Sequence, residues 1–271
     1  DGTFESEQGN TIISFHNINN DEINIIENTF HNNNGNVATI SNCNSIVTFK
    51  DNLINFNVAI SKDKPIIDIT SDDEIHIINN TFHHNDGIIL KTTTKENISI
   101  EACLFDENKN KYNPYGTNIE SSGGQNDIDE YYCIIAINEL NLQINNCTFN
   151  HLSKGAMILT VKENIDIKEC NFNSEMKEED SSTTNPDPNS NIATINFDKS
   201  ENTISVEKCN FTNMRMPSIK SSINTKTILI TEVTIERQIS IENQPSHSIE
   251  CSSTNEFDIE KSKIISSGGI Y

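Results

Sequence analysis

Three kinds of residue in this chain could do chemistry. Asp72, Asp73 and Glu74 stand together with His76 close behind, and Glu178, Glu179 and Asp180 form a second acidic run. Grouped carboxylates of this kind serve as acid and base in glycoside hydrolysis, and an Arg or bound Ca²⁺ beside them would suit proton abstraction from a uronate. Only Arg215 and Arg237 are available for such a clamp. His31 and the His83-His84 pair follow Phe residues that recur in a fixed pattern. The third kind is a set of four cysteines, Cys103, Cys147, Cys170 and Cys209, each in the same place of that pattern. What any of these groups can do depends on the elements that hold them.

The pattern is apolar-x-apolar-x-x-(Asn/Cys)-x-apolar, and nine copies run through the chain. They begin at Ile23, Val47, Ile75, Ile98, Leu142, Ile165, Ile204, Ile228 and Phe257. Positions one and three share a face by strand alternation. Positions six and eight keep that face only if the chain bends at four and five, where mostly polar residues stand. A second apolar run separates successive copies, and nearly all variation in length falls between a copy's last apolar residue and that run. The chain's 44 Ile and 42 Asn therefore alternate as short strands and polar punctuation. No window carries a sustained helical period.

A coil of three short strands stacked at about 4.8 Å per turn is a parallel β-helix. The sequence predicts one domain over residues 1–271, all-β, a right-handed single-stranded parallel β-helix of about nine to ten coils, truncated at both ends. The chain begins at Asp1 without an initiator Met or signal peptide and reads as a piece of a longer exported protein. Membrane contact is then expected only through parts of the chain not present. A net charge of −21 argues against a nucleic-acid partner.

Stacking puts like positions above one another. Position six is expected to form an inward ladder of Asn28, Asn52 and Asn80, continuing as a column of Cys103, Cys147, Cys170 and Cys209. Four sulfurs in a line cannot surround a metal tetrahedrally, so neither a metal nor a cofactor is expected there, and the thiols read as small buried hydrophobes. Insertions at 106–132 and 173–190 leave the same corner. The first holds Tyr112, Tyr115, Tyr131 and Tyr132, a candidate contact surface for protein or sugar. Asn79, Asn97, Asn146 and Asn210 begin Asn-x-Ser/Thr sequons, which accept glycan if the chain is secreted. The acidic groups gain no expected partners from other coils, and the corner histidines read as solvated, although stacking could align some of them.

Phe30-His-Asn-Asn33, Phe82-His-His-Asn85 and Phe105-Asp-Glu-Asn108 match a Phe-x-x-Asn motif. Gly155-Ala-Met-Ile158 and Gly268-Gly-Ile270 approximate a Gly-Gly-apolar motif, as do Gly35 and Gly87 before their apolar runs. In these motifs the chain resembles the polymorphic outer membrane protein repeats, a β-helical family of surface proteins. Copies ending at Phe149, Phe172 and Phe211 lack the Asn. The resemblance implies a non-catalytic passenger at the cell surface or secreted, which adheres to a host or extracellular protein or glycan. A carbohydrate-active β-helix enzyme and a structural spacer are the alternatives, and a cross-coil cluster of Asp, Glu, His and Arg would favour the enzyme.

Overall fold

The computed structural model describes residues 2–4, 11–19, 22–59, 64–108, 132–152, 155–174, 193–214, 217–221, 225–236, 248–251 and 254–265. Among them the regular structure is all strand, in three sheets of 10, 9 and 9 strands. Every pairing is parallel, and each strand neighbours the one a coil away, so the chain winds as a parallel β-solenoid.

Positions one and three of the pattern build the first sheet. Ile75–Ile78 pairs with Ile98–Glu101, for example, placing Ile98 on Ile75 and Ile100 on Ile77. The bend that follows is sharper than the sequence reading required. All nine residues at position five, from Glu27, Asp51 and Asn79 to Lys208, Glu232 and Lys261, have φ between 49° and 58°. A left-handed conformation costs an L-residue about 1–2 kcal/mol, yet none of the nine is Gly. The bend sacrifices no ladder bond. The amide of Asn79 donates to Glu101 O at 2.9 Å and that of Ala102 to Asn145 O at 3.0 Å, and the same bond recurs in other coils.

After the bend, positions seven to nine form the second sheet and position eight fills the core. Phe30, Ile54, Phe82, Phe105, Phe149, Phe172, Phe211 and Ile235 are all buried there. The five Phe from Phe82 to Phe211 stack face to face, with centroids 4.6–4.9 Å apart and planes within 9°. In-register parallel pairing makes this possible, since Phe105 lies on Phe82 and Phe149 on Phe105.

A second left-handed residue comes two places after position eight. Asn32, Phe56, His84, Glu107, His151 and Asn213 occupy it, with φ between 49° and 57°. It turns the next residue inward: Asn33, Asn57, Asn85 and Asn108 are buried and form a second ladder. The Asn33 amide and side-chain NH₂ both donate to Asn57 Oδ1, at 3.1 and 2.7 Å, and the arrangement repeats to Asn85 and Asn108. In later coils Leu152 and Met214 take the same inward place.

The third sheet begins beyond this corner, and the long connections sit here. One runs from Leu104–Asp106 to Tyr132–Asn138, another from Asn171–Asn173 to Ile195–Lys199. Gly87, with φ of 110°, stands in a short connection of this kind, where a Cβ would lie 2.5 Å from that of Ala59.

Candidate functional site

In eight of the nine copies position six is a small side-chain donor, Asn, Cys or Ser, and in the other it is the buried Val233. Asn28 donates its amide N–H and side-chain NH₂ to Asn52 Oδ1 at 2.9 and 3.2 Å, and Asn52 does the same to Asn80 at 2.9 and 3.0 Å. Asn52 and Asn80 also donate to the position-three carbonyls of the coil before, Ile25 O at 2.9 Å and Phe49 O at 2.7 Å. Cys103, Cys147, Cys170 and Cys209 address the equivalent carbonyls of Ile77, Ile100, Ile144 and Ile167 at 3.5–3.7 Å. Ser262 sits likewise 3.5 Å from Ile230 O, with its hydroxyl donating to Glu260 O at 2.9 Å. The four thiols are thus buried donors, and all seven cysteines are free.

Hydrogen bonding with Cys103 and Cys170, then burial, pushes the Cys147 thiol up. Burial alone pushes Cys133 up to about 12. Thiolate is the reactive form, so these residues are inert until the fold opens. Of the seven, only Cys251 is partly exposed. A thiol-reactive dye should label the native chain rapidly at one site at most and at all seven after denaturation. Several fast native sites would disprove the packing described here.

The acidic groups singled out in the sequence are engaged differently from expectation. Asp72 pairs with Lys95 of the next coil at 2.7 Å, and Glu74 accepts from Asn97 at 3.0 Å and lies 3.4 Å from His76. They do have cross-coil partners, but these are a cation and an amide rather than a second acid. Glu178, Glu179 and Asp180 lie outside the described residues, as do Tyr112, Tyr115 and Tyr131.

Tyr132 is corrected from loop to core. It opens the Tyr132–Asn138 strand and is 1% exposed. Its ring covers Gly155, whose absent Cβ would fall 2.3 Å from it, and its hydroxyl accepts from the Ala193 amide at 3.3 Å. The Gly of Gly155-Ala-Met-Ile158 is therefore a seat for this ring. Among the sequons, Asn79, Asn146 and Asn210 are exposed. Asn97 instead joins a third amide row: besides donating to Glu74 it accepts from the Asn141 amide and side chain at 3.3 and 3.1 Å.

The group that stacking assembles most densely is one the sequence reading left as solvated corners. His83 and His84 come from one coil, Asp106 and Glu107 from the next, and His151 from the one after. Register sets His83 beside Asp106, while His84, Glu107 and His151 occupy the left-handed corner in successive coils. His83 Nε2 lies 3.5 Å from Asp106 Oδ2 and 4.0 Å from Glu107 Oε2. His84 Nε2 contacts Glu107 Oε2 directly, His84 Nδ1 is 3.1 Å from His83 Nδ1, and His151 Nδ1 is 2.7 Å from Asp106 Oδ1. Phe56 floors the cluster, stacked on His84 with centroids 4.9 Å apart. His31 lies in the same column, separated from His83 by Asn55.

Neither a family model, a curated protein nor a solved structure matches the chain. The likeness to polymorphic outer membrane protein repeats accordingly rests on the motifs themselves. In this fold, Phe-x-x-Asn supplies a stacked core ring and, past a left-handed residue, a rung of the second amide ladder. Among the described residues no helix is long and apolar enough to cross a membrane. The corner that carries the cluster is also where the longest insertion leaves, immediately after Glu107 and Asn108.

Proposed function

We propose that the chain is a non-catalytic display scaffold, a right-handed parallel β-helix of nine to ten coils from a larger exported protein. In this reading the coils form a rigid stalk at the cell surface or in a secreted protein, and one corner presents loops to an extracellular protein or glycan. The observation that carries the reading is that both long insertions leave the corner between the second and third sheets, while the strands on either side stay paired in parallel, with one register shift, between Leu159 and Thr160, after the second insertion. Rigidity comes from the buried ladders and Phe stack, and binding from the inserted residues, with Tyr112, Tyr115 and Tyr131 as contacts. Exposed Asn79, Asn146 and Asn210 are the glycan acceptors it allows.

Replacing residues 109–131 with Asp-Gly tests it. The replacement copies Asp86 and Gly87 of the preceding coil and keeps Asn108, which closes the second ladder on Asn85 at 3.0 Å. Attachment to epithelial cells or a glycan array should fall at least about tenfold, as when a main contact patch is lost, with circular dichroism and unfolding midpoint retained. Unchanged attachment by the folded variant would remove the loop from the account.

The His83, His84, Asp106, Glu107 and His151 cluster favours a second reading, a carbohydrate-active enzyme, because it joins acids and bases across coils. Release of products from acidic or neutral glycans by the intact chain, lost on Glu107→Gln, is the result that would establish it.

A further inference from the structure

The corner cluster brings imidazoles and carboxylates of successive coils together, in a chain whose net charge is −21. His83 Nε2 lies 3.5 Å from Asp106 Oδ2 and 4.0 Å from Glu107 Oε2, and His84 Nε2 contacts Glu107 Oε2 directly.

One ligand atom from each of His83, His84 and Glu107 lies within 4.8 Å of the others, and the same holds for Asp106, Glu107 and His151. Imidazole with carboxylate selects the zinc class over Ca²⁺ and Mg²⁺, which take oxygen alone.

We propose that His83, His84 and Glu107 bind one divalent transition-metal ion of the zinc class. Asp106, 3.5 Å from His83 Nε2 and held to His151 at 2.7 Å, is a positioning residue beside that imidazole. The ion would pin the two coils at the stem of the 109–131 insertion. This stands independently of both functional readings above.

The test is titration of the untagged, chelator-stripped full chain with Co²⁺, read by visible d–d absorption, and with Zn²⁺, read by calorimetry. One Zn²⁺ per chain is expected, bound on the order of 100-fold more tightly than Ca²⁺, with a four-coordinate Co²⁺ spectrum. His83→Asn and His84→Asn should each weaken binding by at least about tenfold, and the double variant should lose the Co²⁺ spectrum. Both should fold, because sister coils already carry Asn in these places: Asn55 and Asn150 in the His83 row, Asn32 and Asn213 at the left-handed corner. Circular dichroism checks that they do. His76→Asn, outside the cluster, should bind as the parent does. The proposal fails if the parent takes up Zn²⁺ no better than Ca²⁺. It also fails if the folded double variant matches the parent in stoichiometry and affinity, which would assign the ion to other groups such as the thiols.

Discussion

Phe149→Ala should lower stability by about 3–5 kcal/mol, the range for emptying a large buried aromatic site. Phe149 has Phe105 on one side at 4.8 Å and Phe172 on the other at 4.9 Å, so the substitution removes two ring contacts as well as the buried area. Each stacked pair adds about 0.5–1.5 kcal/mol beyond area. The cavity cannot collapse easily, because parallel pairing on both sides fixes the strands that would have to close on it. With a urea dependence of about 3 kcal/mol per molar, the midpoint should drop by roughly 1–2 M. Phe149→Ile should cost clearly less, since Ile54 and Ile235 fill the same column elsewhere. A midpoint shift for Phe149→Ala no larger than that of the Ile variant would show that the stack is not what holds these coils.

This column was legible in the sequence because apolar periodicity reports which side chains face inward. Position eight is Phe or Ile in every copy, and strand alternation from positions one and three predicted its burial once a bend was allowed. The bend's conformation was hidden. Glu27, Asp51, Ala102, Glu169 and Lys208 are not residues that announce a left-handed turn, and they adopt one because the ladder bond through the bend and burial on both sides offset the cost. The second ladder was half visible. Asn33, Asn85 and Asn108 matched a family-like motif, whereas Asn57 follows Ile54 and escaped it, yet in the fold it is a rung like the others.

The corner cluster was harder to read, for a physical reason. His84, Glu107 and His151 are 23 and 44 residues apart in sequence, and their approach depends on register at a left-handed corner that no composition signal marked. The available signal was positional: each lies two residues after a copy's last Phe. Tyr132 misled in the opposite direction, because sequence proximity to Tyr131 and the insertion concealed that it already belongs to the third sheet, over Gly155.

The second ladder also supplies the most demanding test of the fold, an isosteric change of one atom. Asn57 is fully buried. Its Oδ1 accepts two bonds from Asn33, and its Nδ2 donates to Phe30 O at 3.0 Å and Asn85 Oδ1 at 2.9 Å. In Asn57→Asp the amide nitrogen becomes an oxygen facing two acceptors. The acid must hold its proton to fold, and so its folded pKa lies above the unfolded value of about 3.9. The folded state then binds more protons than the unfolded one, and stability falls as pH rises. The protonated acid has one O–H for two acceptors, so a loss of about 1–3 kcal/mol remains at and below about pH 4, and above it the loss grows by about 1.4 kcal/mol per unit, adding about 4 kcal/mol near pH 7 unless the ladder opens first. Asn57→Leu separates charge from hydrogen bonding, because it leaves Asn33 and Phe30 unpaired at about 1–3 kcal/mol each but introduces nothing that titrates. Unfolding midpoints of the three proteins between pH 4 and 7 decide the matter. Divergence of the Asn57→Asp variant alone places a dry, donor-matched ladder at this corner, whereas parallel profiles for that variant and the parent would mean that water reaches the ladder.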